Sequence, residues 1–225
     1  MFRHVPNLLT GLRLVLAAVF FGMLSYYQHE GRAGRHGEIL WLNIALFIYV
    51  VAVFTDFLDG YLARKWKVEG AFGRVVDPFV DKVLVLGSFI FFAGKNFTIP
   101  FIDPSATPTN VRTITGIVPW MVVVILAREL LVTSLRGLSE SSGQNFGAQF
   151  SGKLKMIFQS VTIFVVLLYV NYRRWLIDHQ YADLEQWFTI LRDLCIWATI
   201  IITVVSGILY VQKAIALYRN SRVAV

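Results

Sequence analysis

Long apolar stretches alternate with short polar ones along this chain, and the charged residues gather where the apolar stretches stop. Crossing the hydrocarbon core of a bilayer takes a helix of about 20 residues. Six stretches are read as such helices: Leu8 to Tyr27, Ile39 to Arg64, Phe72 to Gly94, Ile117 to Leu135, Lys155 to Val170 and Arg192 to Leu217. No ten-residue segments of alternating polarity occur, so the pattern predicts helices and not barrel strands. The two halves lack the mutual similarity of inverted-repeat transporters. The expected fold is all-α integral membrane: one domain over residues 1–225, with six transmembrane helices and a short interfacial segment over residues 1–10.

Composition agrees. Of the 225 residues 56% are hydrophobic and only 16% charged, whereas a soluble domain carries charge on about a quarter of its residues. The mean hydropathy is +0.62 and the pI about 9.7, a balance suited to anionic lipid headgroups. The basic residues are spread along short connections, which excludes nucleic acid as a partner. With the N-terminus inside, the inner connections hold 14 of the 21 Lys and Arg, among them Arg3, Arg64, Lys65, Lys67, Arg74 and Lys82. The outer connections hold 7, from Arg32 to Arg192, partly offset by Asp178, Asp183, Glu185 and Asp193. Both termini are therefore expected in the cytoplasm, across a bacterial inner membrane.

Smaller features add little. Arg13 interrupts the first apolar run, so that run reads as a retained helix and not a cleaved signal peptide. The single cysteine, Cys195, excludes an internal disulfide framework and a cysteine zinc site. His4, His29, His36 and His179 lack metal-ligand spacing, and Trp41, Trp120, Trp175 and Trp187 read as an interfacial belt. The segment Ser139 to Phe150, rich in Ser, Gly and Gln, reads as a cytoplasmic connecting loop.

The chemistry lies in Asp56, Asp59, Asp77 and Asp81. Ionisable groups next to bilayer are costly and mark function by default. Asp56 and Asp59 share one helix face, while Asp56, Gly60 and Arg64 form a four-spaced row. Gly73, Asp77 and Asp81 form a second such row, and antiparallel helices joined near Lys65 to Phe72 would bring the two together. Four hard-oxygen donors repel one another unless cations intervene, and they suit two Mg2+ or Mn2+ ions, a recurring device for displacement at phosphorus. Asp77-Pro78 leaves two geometries open: a third helix that starts there, or one that starts earlier and kinks at Pro78.

The run Asp-x2-Asp-Gly-x2-Ala-Arg-x8-Gly-x3-Asp-x3-Asp from Asp56 to Asp81 resembles the signature of the CDP-alcohol phosphotransferases at every defining position. That resemblance implies a six-helix membrane enzyme, often homodimeric, that displaces CMP from a CDP-linked donor using divalent metal. It implies metal ligation by Asp56, Asp59, Asp77 and Asp81, with Asp81 also the general base. Gly60, Ala63, Arg64 and Gly73 would accept the cytidine and pyrophosphate.

Three shorter matches resemble the phosphatidylglycerophosphate synthase branch. These are Pro6 to Thr10 with Arg13, then Ala127-Arg128-Glu129 with Ser134-Leu135-Arg136, then Gly152 to Lys155 with Gln159. Ser134 replaces an expected glycine, and Gly137-Leu138 an acidic-aromatic pair. The branch implies CDP-diacylglycerol and glycerol 3-phosphate as substrates, with Asn7 and Thr10 near the nucleotide. For the acceptor phosphate the candidates are Arg128, Arg136 and Lys153, with Arg136 and Lys153 preferred; Lys155 reads as ordinary positive-inside charge. Cardiolipin synthesis from phosphatidylglycerol, and transfer to inositol phosphate, serine or an aminoalcohol, are alternatives within the same fold. A divalent-cation transporter would want its carboxylates near the midplane and not at one end.

Overall fold

The computed structural model describes residues 5–27, 35–66, 71–99, 112–141 and 150–223. Six α-helices account for most of them: α1 (Val5–Tyr26), α2 (Arg35–Trp66), α3 (Ala71–Phe92), α4 (Pro119–Ser141), α5 (Phe150–Asp178) and α6 (Ala182–Val223). Each predicted span coincides largely with one of them: those of α2, α5 and α6 lie wholly inside, while Tyr27, Ala93-Gly94 and Ile117-Val118 fall just outside α1, α3 and α4. Between α3 and α4 lie a 3-10 turn, Lys95–Phe97, and a two-residue antiparallel pairing of β1 (Thr98–Ile99) with β2 (Arg112–Thr113). Four helices contain a window long and apolar enough to span a membrane: Leu9–Tyr26, Ile39–Asp56, Gly152–Asp178 and Ala182–Leu217. In α3 the apolar stretch is the shorter Lys82–Phe92, and α4 carries Arg128, Glu129 and Arg136 along its length. Together they make a six-helix, all-α integral membrane protein.

Packing follows seams of residues spaced alternately three and four apart. The α1 seam runs through the buried Thr10, Arg13, Ala17, Phe20 and Leu24 to Tyr27 just past the helix, with Met23 buried beside it; on α2 the seam is Leu42, Ala45, Tyr49, Ala52 and Thr55. Such spacing keeps one stripe of a helix facing its neighbour over several turns. The helices alternate in direction. Arg13 meets Asp56 while Phe20 meets Tyr49, which sets α2 antiparallel to α1. α6 has the same seam built largely of polar residues: Ile196, Thr199, Thr203, Ser206 and Tyr210. Thr162 on α5 bonds across it to Thr199 at 2.7 Å and to the Cys195 carbonyl at 3.0 Å. Hydroxyls are suited to such a place, because small polar side chains let helices approach and satisfy one another away from water. The faces left outside are apolar, with Val19, Phe47, Phe54, Val123, Ile157 and Ile201 exposed, as lipid contact requires.

Three sequence expectations are modified. The segment 1–10 is, from Val5 onward, already helical and continuous with the first span. α3 starts at Ala71, so Pro78 lies inside a helix and the earlier start is the geometry adopted. α6 begins at Ala182, well before Arg192, and its 42 residues reach about 63 Å at 1.5 Å per residue, twice the hydrocarbon thickness of roughly 30 Å. The reason is a helical hairpin: α5 and α6 run past the predicted ends and turn at Gln180, whose φ is 58°. Charges expected in an open loop instead pair along that hairpin. Arg173 Nε meets Glu185 Oε1 at 3.0 Å, and the Tyr169 hydroxyl bonds the same oxygen at 3.3 Å. Arg192 donates to the Ile114 carbonyl at 2.9 Å and lies over the Tyr169 ring, pinning the α3–α4 connection against the hairpin. Of the expected loop Ser139 to Phe150, residues 139–141 end α4 and Phe150 opens α5; 142–149 lie outside the described residues.

α1 and α3 are in close contact at Gly87. A Cβ there would come within 2.3 Å of the Phe21 ring. Phe21 has little freedom to yield, since it stacks on Phe91 with centroids 5.4 Å apart and is flanked by Phe20. Gly87→Ala is expected to destabilise the protein by about 1–3 kcal/mol, read as a lower melting temperature in detergent. Adding Phe21→Leu should restore part of the loss; strict additivity of the two changes would contradict the contact.

Candidate active site

One end of the bundle brings together Arg13, Asp56, Lys82, Arg128, Glu129, Arg136 and Lys155, because the alternating helices set the starts of α1, α3 and α5 beside the ends of α2, α4 and α6. On α1, Arg13 is the one charged member of an otherwise apolar and hydroxyl seam. Its guanidinium is 1% exposed and its Nη1 lies 2.8 Å from Asp56 Oδ1 on α2. The Asp56 side chain is 39% exposed, so Arg13 holds the carboxylate in place while leaving it partly open. In the sequence Arg13 counts against a signal peptide and belongs to the match over Pro6 to Thr10, but its pairing with Asp56 is not read there; a charge at a buried position of the periodic seam was the signal that could have found it. Thr10, one turn earlier on the same seam, is fully buried.

Asp59, Gly60, Ala63 and Arg64 lie on the last turns of α2, and Gly73, Asp77 and Asp81 on the first turns of α3. These residues are helical, but their surroundings lie outside what is described, as does the side chain of Asn7. The next residue after Asp81 is described. Lys82 Nζ donates to Thr133 Oγ1 on α4 at 2.6 Å, and Thr133 in turn bonds the Glu129 carbonyl at 2.7 Å. The aspartate-bearing start of α3 is thus tied to the second polar centre.

That centre joins α4, α5 and α6. Glu129 Oε1 accepts from Arg128 Nη1 at 2.9 Å and from Lys155 Nζ. Arg128 also bonds Ser206 through Nε at 3.1 Å and through Nη2. All four residues are buried, so each charge depends on the others. Arg136, eight residues along α4, donates from Nη2 to the Tyr210 hydroxyl at 2.8 Å and has no carboxylate partner among the described residues. The proposed pair of Arg136 and Lys153 is separated in character: Lys153 is exposed, while Lys155, read from sequence as ordinary surface charge, is the buried one. The physical reason is the helical repeat. Residues two apart point to nearly opposite sides, and only position 155 faces Glu129. Tyr210 was missed altogether, since an isolated tyrosine in an apolar helix carries no chemical signal.

Of the four aspartates only the Asp56 carboxylate is described, and among the described residues no cluster of three metal-ligating side chains forms. Asp56 is a hard oxygen donor on the same helix as Asp59, a donor type that suits Mg2+ or Mn2+.

With this geometry in view, comparison with known proteins is decisive for the family. The family model of CDP-alcohol phosphatidyltransferase matches residues 3–205. The chain belongs to that family. Its members are generally dependent on divalent metal. The chain is 28% identical over 212 residues to the CDP-diacylglycerol–glycerol-3-phosphate 3-phosphatidyltransferase of Bacillus subtilis, covering 93% of this chain and 94% of that protein. It is 30% identical to a probable phosphatidylglycerophosphate synthase of Mycobacterium tuberculosis, over 94% of this chain and 82% of the relative. A phosphatidyltransferase of the same name from Cereibacter sphaeroides is 32% identical over 73% of this chain and 63% of its own length.

Two outcomes check the site. Arg13→Met is expected to lower stability by about 2 kcal/mol, below the range for a fully buried pair because Asp56 is partly solvated, and to reduce Mn2+ affinity measured by calorimetry. Unchanged Mn2+ binding in a folded variant would remove Arg13 from the site. Glu129→Gln leaves two buried cations sharing no acid and should cost about 3–5 kcal/mol. Glu129→Gln combined with Lys155→Met should recover part of that in the same melting assay.

Proposed function

We propose that this protein transfers the phosphatidyl group of CDP-diacylglycerol to glycerol 3-phosphate, forming phosphatidylglycerophosphate and CMP. The observation that carries the acceptor is the Arg136 guanidinium, held by a neutral phenol beside a centre where one acid serves two cations. Among the described residues, Arg128, Lys155, Arg136 and the nearby Lys82 outnumber Glu129, an excess of positive charge that suits a phosphate monoester dianion. An uncharged acceptor would leave that charge uncompensated between apolar helices, at a high desolvation cost. The names of the relatives from Bacillus subtilis and Cereibacter sphaeroides support the same substrate pair.

Asp56, Asp59, Asp77 and Asp81 would hold two Mg2+ or Mn2+ ions, which supply charge neutralisation for the pyrophosphate and the departing CMP. Gly60, Ala63 and Gly73 leave room for the nucleotide, Arg64 forks onto its phosphate oxygens, and Asn7 and Thr10 border it from α1. Asp81 takes the proton from the acceptor hydroxyl. The freed oxygen attacks the β-phosphorus, the bond from that phosphorus to the bridging oxygen breaks, and its electron pair leaves with CMP. Arg136, Arg128 and Lys155 hold the acceptor phosphate, with Lys153 at the exposed rim. The acyl chains of the donor remain in the bilayer while its head enters from the cytoplasmic surface. Both termini and the site face the cytoplasm of a bacterial inner membrane, by the excess of Lys and Arg on that side. A homodimer is the expected assembly.

The test is CMP release by purified protein in detergent with CDP-diacylglycerol and Mg2+, comparing glycerol 3-phosphate, phosphatidylglycerol, inositol 1-phosphate and serine. Release with glycerol 3-phosphate alone, lost in Asp81→Asn, is the expected result. Release only with another acceptor overturns the acceptor assignment, and none at all from folded, Mn2+-binding protein overturns the transferase reading.

A further inference from the structure

Tyr210 closes the polar seam of α6, and its ring is fully buried. Arg128 and Arg136 both lie against it, each with its guanidinium carbon 5.4 Å from the ring centroid. Arg136 also donates to the phenol oxygen. A ring face attracts a cation without cancelling its charge, whereas a carboxylate at the same place would neutralise it. The ring thereby holds two guanidiniums near each other, Arg128 paired also with Glu129 and Arg136 with no carboxylate partner among the described residues.

The helices around the ring are cut to fit. A Cβ on Gly152 of α5 would stand 3.0 Å from the Tyr210 hydroxyl, and a Cβ on Gly207 of α6 would stand 3.3 Å from Arg128 Cγ. Gly152 thus admits the phenol, and Gly207 lets the Arg128 stem cross α6 on its way to the ring and Ser206.

We propose that Tyr210 is a positioning residue that sets affinity for the acceptor's phosphate monoester, by fixing the Arg128 and Arg136 guanidiniums while leaving them charged. This rests on the acceptor reading above. Tyr210 acts through the arginines and does not touch the reacting atoms, so its influence belongs in KM for the acceptor and not in the chemical step.

The test is steady-state kinetics of the full chain in detergent micelles, with glycerol 3-phosphate and CDP-diacylglycerol varied separately. Tyr210→Phe keeps the ring and removes the oxygen that accepts from Arg136; KM for glycerol 3-phosphate should rise about 3- to 10-fold, the range for one lost hydrogen bond. Tyr210→Leu removes the ring as well and should raise it by a further ~3-fold or more. In both, kcat and KM for CDP-diacylglycerol should stay within about twofold of wild type. Unchanged KM for glycerol 3-phosphate, or equal losses toward both substrates, overturns the proposal while leaving the acceptor reading intact. Wild-type protein that ignores glycerol 3-phosphate overturns that reading itself. If Tyr210→Leu does not fold, Tyr210→Phe and Gly152→Ala carry the test, the latter displacing the phenol oxygen and expected to raise the same KM alone.

Discussion

A charge that lies between lipid-facing helices has no water to turn to, so it must find its partner on a neighbouring helix. Arg13 meets this demand across α1 and α2, and Glu129 meets it for Arg128 and Lys155 across α4 and α5, with Ser206 joining from α6. Hydrophobic side chains alone would hold these helices loosely in register, since lipid is as apolar as they are. The ion pairs and hydroxyl contacts select one register, and in doing so they place the functional groups at a common end.

The same contacts differ in what they leave open. Arg13 engages Asp56 and leaves its side chain partly exposed. Glu129 is shared by two cations, while Arg136 is held by a phenol and has no carboxylate partner among the described residues. Lys82 and Thr133 tie the start of α3 to this second centre.

The far end of the bundle is built differently. There the α5–α6 hairpin uses Glu185, Arg173, Tyr169 and Arg192 to close on itself and on the connection between α3 and α4. Its charges are mutually satisfied and its geometry is rigidly helical, so it anchors the helices whose opposite ends carry the polar seam.

Six apolar runs and the spacing of Asp56 to Asp81 were legible in the sequence, because span length and a motif confined to two consecutive helices are local properties. They determined a helical membrane protein with paired carboxylates at the ends of α2 and α3. Which charges meet across helices is not local. The burial of Lys155 in place of Lys153, the grip of Arg13 on Asp56, and the convergence of Arg128 and Arg136 on Tyr210 depend on how each helix is rotated about its axis. That rotation is decided by packing among all six helices, and only the tertiary structure records it.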